Sequence, residues 1–401
     1  MESIVIVDMP SRLNRFGGEA RIAASLFRGL RKRFDTYYLG FGTSYISERE
    51  KGVILPSASS AIGKPIRNKS ISESALAKLA YNALVVRNLY GIDKPSVAKK
   101  MKEISPSVII SNSVQDMPLL LYLKRSGINS KMIYIDHGSI SSEFVRGYFS
   151  KAAMPLTIGS GIQALSVTEA KRKFFRFFDA VVALNMEQYR AIRNFTEDVV
   201  YIPNGISVSL GRNEKIEKSI RERYSIGDKR VVLYVGRMFE RQKNVSTLIR
   251  AFSISRIDAS LLLVGDGPSL NDYMRMSEGD SRIAFAGGVD EHLLKYFYNI
   301  ASVFVLPSFW EGFNLTILEA AAHRLPMLIS EAACIEDLKV YKIPTFKTRS
   351  AEDLRSKLES LMASKSMMTR ARRSSAMIAS HFTEERMLSE YSKLIGKLLE
   401  K

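Results

Sequence analysis

Short, almost uninterrupted apolar runs separated by helix-like segments constrain this chain most. In the first half they are SIVIVD (3–8), SVIISN (107–112), KMIYID (131–136) and AVVALN (180–185). In the second half they are RVVLYVG (230–236), SLLLVGDG (260–267), RIAFAG (282–287), SVFVLPS (302–308) and LPMLIS (325–330). A strand that is apolar at successive positions is buried on both faces, which is the condition of parallel sheets covered by helices. Two successive sets of such strands predict an α/β chain of two doubly wound, Rossmann-like domains. The length of 401 residues, 46% of them hydrophobic, also exceeds what one core usually supports.

The predicted boundary follows YIPNGI (201–206), because Pro203, Asn204 and Gly205 are turn formers. The expected domains are 1–205 and 206–383. A C-terminal amphipathic helix, 384–401, could pack back toward the first domain. The Ser-, Ala- and Lys-rich stretch 56–105 reads either as a helical insertion or as a mobile flap. No apolar run reaches the roughly 18–20 residues of a membrane-spanning helix. The amino-terminal run lacks the basic and cleavage-site flanks of a signal peptide. A lone cysteine, Cys334, fits a reducing cytoplasm and a small buried side chain.

Net charge is +18. Residues 1–200 hold 29 Lys and Arg against 17 Asp and Glu, and the remainder holds 30 against 24, so the first half is the more basic. Such a field favours polyanions, acidic lipid surfaces or phosphorylated small molecules. In KRKFFRFFDA (171–180) cations alternate with aromatics, and Arg28, Arg31, Lys32 and Arg33 form a second group. Basic residues beside exposed aromatics suit an anionic membrane surface. The opposing reading places Phe174, Phe175, Phe177 and Phe178 in the core and only the cations in solvent.

Ligands of doubly wound folds sit at the carboxyl ends of the strands. There the chain places Gly17-Gly18 before a helix, His137-Gly138, Gly236-Arg237 with Lys243-Asn244, and Gly265-Asp266-Gly267-Pro268. Adjacent glycines let backbone N–H groups approach an anion, and two cations suit a pyrophosphate. Each has a plainer alternative as a turn or as surface charge. PSFWEGFNLTILEAAAHRLP (307–326) follows SVFVLPS and sets Glu311 and Glu319 eight positions apart, one on the loop and one on the next helix. A carboxylate accepts hydrogen bonds from vicinal hydroxyls, so the pair can meet two parts of one extended ligand.

In this order the pieces resemble a retaining glycosyltransferase of family 4, with the GT-B fold of two Rossmann-like domains facing across a cleft. Glu311 and Glu319 in the P-S-x-x-E-G-F context are the most specific element. The resemblance implies that Arg237 and Lys243 bind the donor diphosphate and stabilise its developing charge. It gives Glu319 the nucleotide ribose and Glu311 the transferred sugar. Phe313, Asn314 and Leu315 contribute backbone to the sugar and distal phosphate. His137 sits beside the sugar, and Gly17-Gly18 faces the diphosphate.

The same resemblance implies a UDP- or GDP-linked hexose donor and a glycan or lipid-linked acceptor. Cations stand in for a metal, and the donor phosphate assists attack on the same face. The lone cysteine and the basic–aromatic segments, not the resemblance, make the protein cytoplasmic or peripheral on the inner membrane face. Two positions depart from the family: Asn314 and Arg324 stand where glycine is usual, and the Asn314 side chain is expected to enter the sugar site. The alternatives are a GT-B sugar-phosphate synthase or sugar-nucleotide epimerase, a non-catalytic scaffold, or a basic nucleic-acid-binding protein. The last has no recognised module in its support.

Overall fold

A computed structural model describes residues 1–9, 17–40, 45–47, 49–54, 92–138 and 171–400. Among them the chain forms two all-parallel sheets. The first contains β1 (Ser3–Asp8), β2 (Asp35–Gly40), β3 (Val53–Ile54), β4 (Val108–Ser111), β5 (Lys131–Asp136), β6 (Ala180–Ala183) and β7 (Val199–Tyr201), in the order β3-β2-β1-β4-β5-β6-β7. The second contains β8 (Arg230–Val235), β9 (Ala259–Val264), β10 (Ile283–Gly287), β11 (Val303–Leu306), β12 (Met327–Ser330) and β13 (Thr345–Phe346), in the order β10-β9-β8-β11-β12-β13. All nine apolar runs are strands, and β1 and β5 match their predicted bounds. Sequence reading missed β2, β3, β7 and β13.

Both orders reverse direction once, between β1 and β4 and between β8 and β11. At these switch points the flanking crossovers leave a crevice at the strand carboxyl ends. Asp8 ends β1 and Asn112 follows β4 in the first sheet; Gly236 and Ser308 follow β8 and β11 in the second.

Contacts divide the chain into Met1–Asn204 with Glu385–Lys401, and Gly205–Glu384. The helix Glu384–Leu399 buries Met387, Tyr391, Leu394, Ile395 and Leu398 along one face. Leu388 lies so close to Gly29 of the helix Gly18–Leu30 that any β-carbon there would collide with it. Of the ambiguous stretch 56–105, residues 56–91 lie outside the described residues, and Lys94–Ile104 is a helix capped by Asp93.

The basic–aromatic segment resolves toward the plainer alternative. Phe174, Phe175 and Phe178 are core residues, with Tyr134 stacked on Phe178 at 5.1 Å and edge-on to Phe174 at 5.2 Å. Phe177 is half-buried under the Lys124 ammonium at 4.7 Å. The expectation of aromatics offered to a membrane there is corrected: β5 needs them as cover. Arg28 is also committed, forking onto Glu50 at 3.0 and 3.1 Å. No helix among the described residues is long and apolar enough to cross a membrane.

Candidate functional site

The second unit brings its candidate residues together through backbone packing first. Gly236 N donates to Val264 O, Met238 N to Asp266 O, and Ser269 N to Met238 O, at 2.8–3.0 Å. The loops after β8 and β9 therefore lie backbone against backbone. A β-carbon at Gly265 would overlap the Gly236 carbonyl, and one at Gly267 would overlap the Met238 backbone. The G-D-G-P turn thus shapes the loop that carries Arg237.

The short helix Glu240–Lys243 is pinned to the loop after β11 at three points. Phe309 N donates to Gln242 O at 2.7 Å. Asn244, in the left-handed conformation at φ 50°, donates from Nδ2 to Pro307 O at 2.9 Å and accepts at Oδ1 from Thr247. Lys243 Nζ reaches Glu311 Oε1 at 2.8 Å and Oε2 at 3.0 Å. The side chains of this ion pair are only 13% and 5% exposed. A charge this buried is costly without its partner, so each side chain needs the other. Arg237 behaves differently. Among the described residues no carboxylate pairs with its guanidinium, which lies 5.4 Å from the Phe239 ring centroid.

Glu319 sits mid-helix in Leu315–Ala322, 6% exposed, and accepts from the Tyr298 hydroxyl at 2.6 Å. Phe313 packs edge-on against Phe382 at 5.0 Å, and Leu315 opens the helix, so both side chains anchor the loop. Trp310 is exposed.

The two departures from glycine resolve separately. Asn314 is extended, at φ −78°, so no left-handed backbone is needed there. Its Oδ1 caps the helix, accepting from Thr316 N and Thr316 Oγ1 at 2.8 Å each, an Asn N-cap. The side-chain oxygen of Asn314 is therefore committed to the helix cap.

Arg324 does occupy a glycine conformation, at φ 53°. Leu325 N bonds Ala320 O and Arg324 N bonds Ala321 O, which is a Schellman ending with Arg324 at the left-handed position. The residue is exposed. Arg324→Gly is expected to raise stability by about 0.5–1 kcal/mol, the left-handed strain less glycine's extra chain entropy. Urea unfolding checks this, and an unchanged or lower midpoint contradicts it.

In the first unit Gly17 is the extended N-cap of Gly18–Leu30 and no side chain caps that helix. Asn112 Nδ2 donates to Glu19 O at 2.9 Å, which fixes the amide's orientation and presents Oδ1 to His137 Nε2 at 3.0 Å. The imidazole therefore carries its proton on Nε2. Loss of solvation holds its pKa down to about 4, so His137 is neutral at pH 7. Asn112, which sequence reasoning passed over, thus ties His137 to the backbone of Glu19, the residue after Gly18.

It also passed over Asp8 and Asp116. Asp8 ends β1, accepts from the Tyr38 hydroxyl at 3.0 Å and is pushed by burial up to about 6. Asp116 lies well above the usual carboxylate range through burial and the nearby Asp8, although Met9 N, Ser113 N and Ser111 Oγ all donate to it. A lone Asp closing a strand gives no sequence signal of this kind.

Asp8 and His137 give opposite pH dependences. The folded state holds the Asp8 proton more tightly than the unfolded chain, so this contribution is full below about 3.8 and lost as pH rises through 6. The unfolded chain holds the histidine proton more tightly, so that contribution is full above 6.5 and drains as pH falls toward 4. Asp8→Asn removes the first. Relative to the parent chain its stability should rise by about 1 kcal/mol between pH 5 and 7.5. Urea unfolding of both proteins at the two pH values measures it, and parallel pH profiles would refute the assignment.

Residues 229–364 match the family model described as Glycosyl transferases group 1. Among curated proteins, an uncharacterised glycosyltransferase of Methanocaldococcus jannaschii, MJ1607, is 32% identical over 168 residues, 39% of this chain and 43% of that one. O-antigen chain mannosyltransferase B of Escherichia coli is 31% identical over 127 residues, 30% of this chain and 33% of that one. The chain thus spans less than half the length of each of these two relatives. Among solved structures, Anabaena HepE in complex with UDP-glucose superposes with a TM-score of 0.72 at 15% identity, covering 99% of this chain and 100% of that one. The chain has the GT-B fold, and the group 1 glycosyltransferase match falls on the unit that carries Lys243, Glu311 and Glu319.

Proposed function

We propose that the chain is a retaining glycosyltransferase of family 4. It moves a hexose from a UDP- or GDP-linked donor to an acceptor hydroxyl on a glycan or lipid-linked acceptor. One observation carries the reading. The buried Lys243–Glu311 pair lies on the loops flanking the β8/β11 switch point, and the buried carboxylate of Glu319 stands on the next helix. Few ligands ask for both features. A nucleoside diphosphate sugar does, because it offers vicinal hydroxyls at its two ends and an anion between them.

Bond cleavage at the anomeric carbon leaves negative charge on the diphosphate. Arg237 and Lys243 stabilise it, and preorganised cations in a dry site contribute most where charge develops. Lys243 comes to this task already held by Glu311, so little reorganisation is needed. Glu311 meets hydroxyls of the transferred sugar and Glu319 those of the ribose. The acceptor hydroxyl attacks from the face the diphosphate leaves, and its proton passes to a donor phosphate oxygen. His137, neutral with Nε2–H committed to Asn112, serves as a positioning and hydrogen-bonding group.

A panel of UDP-, GDP- and ADP-sugars tests the reading through thermal shift of the purified chain and release of nucleoside diphosphate. Stabilisation by one donor, lost in Glu319→Ala and Arg237→Ala, is the expected result. If no nucleotide sugar stabilises the chain, the reading fails.

A further inference from the structure

Glu319 is not an isolated carboxylate on its helix. The Tyr298 hydroxyl, 1% exposed on the helix Glu291–Ile300, donates to Oε2 at 2.6 Å. A bond this short to a carboxylate is charge-assisted and restricts the rotation of the carboxyl group. The phenol is itself held. Its ring stacks on His323 at 5.1 Å with an interplanar angle of 18°. His323 Nδ1 meets Asn299 Oδ1 at 3.0 Å, and Asn299 Nδ2 donates to Glu217 Oε1 at 2.9 Å and to Gly211 O at 3.2 Å.

Two donated bonds fix the Asn299 amide, so its Oδ1 faces the imidazole and His323 carries its proton on Nδ1. His323 Nε2 is then a buried acceptor without a donor, a costly arrangement that a core built only for stability would avoid. Burial keeps the ring neutral, with its pKa down to about 4.

We infer that Tyr298, braced by His323, is a positioning residue that sets the Glu319 carboxylate in the orientation required to read both ribose hydroxyls of the donor. The inference rests on the nucleotide-sugar reading above and goes beyond it by assigning selectivity for the ribose diol to a residue outside the Glu311–Glu319 segment. Two hydrogen bonds to one ionised group favour a ribonucleotide over its dideoxy form by about tenfold or more. A carboxylate that loses this short bond is less firmly oriented and forfeits part of that preference.

Isothermal titration of the full chain with UDP and GDP, and with their 2′,3′-dideoxy forms, tests this on the parent protein and Tyr298→Phe. Phenylalanine keeps the ring on His323 and removes only the donor. The expected result is a parent preference for the ribo form that shrinks at least about fivefold in the variant, with dideoxy affinity unchanged. A variant that keeps the full preference, or weakens both forms equally, overturns the inference and leaves the donor reading intact. A parent chain that binds neither nucleotide overturns both.

Discussion

Lys243→Ala is expected to lower stability by about 3 kcal/mol and donor turnover by at least a hundredfold, the largest combined effect of any single change in the second unit. The two losses have different origins. Stability falls because Glu311, with a side chain 5% exposed, keeps a buried negative charge with no cation at 2.8 Å. Turnover falls because the diphosphate loses a preorganised cation.

A second substitution separates the two. Glu311→Gln in the Lys243→Ala background removes the unpaired charge, so most of the stability should return while turnover does not. Urea unfolding of the four proteins of this cycle, with turnover of the donor that the panel identifies, gives the coupling directly. Additive stability losses would mean that the pair is not the mutual support its geometry indicates. Recovery of turnover in the double variant would remove Lys243 from the chemistry.

Gly265→Ala should destabilise the chain by about 3 kcal/mol or more, although it adds one methyl group. The residue sits at φ 133°, and the new carbon would overlap the carbonyl oxygen of Gly236, which is backbone and has no rotamer to escape into. Relief requires the loops after β8 and β9 to part, breaking Gly236 N–Val264 O and Met238 N–Asp266 O. Gly279→Ala is the control. Its φ is 89° but nothing lies within 4 Å of the added carbon, so it should cost about 1–2 kcal/mol, the left-handed strain alone. Equal midpoints for the two variants in urea would show that the loops yield freely.

The fold was legible because both sheets are parallel and buried on both faces, which writes each central strand as an uninterrupted apolar run. Where burial is one-sided the signal fades. β2 reads DTYYLG with an exposed first residue, and β3 and β13 are two residues long. β7 hides in the approach to the Pro203-Asn204-Gly205 turn. In the site, Lys243, Glu311 and Glu319 stood out because charged residues beside apolar strand ends are unusual.

Their supports did not stand out. Tyr298 and Asn112 are ordinary residues whose roles come from partners 21 and 93 positions away. Asn314 shows a related limit: nothing in its place in the sequence says that the helix starting at Leu315 takes its oxygen as a cap.

The helix Glu384–Leu399 closes the first unit with residues from the far end of the chain, and this sets a timetable for biosynthesis. A ribosome that has finished residue 204 has made nearly all of that unit but not its last piece. At about 5–20 residues per second, the next 180 residues occupy some tens of seconds or less before the closing helix emerges. Through that interval the apolar floor that will receive Tyr391 and Ile395 stands open, while the second unit, Gly205–Glu384, can complete itself first. In the nascent chain the later half is the first that can finish.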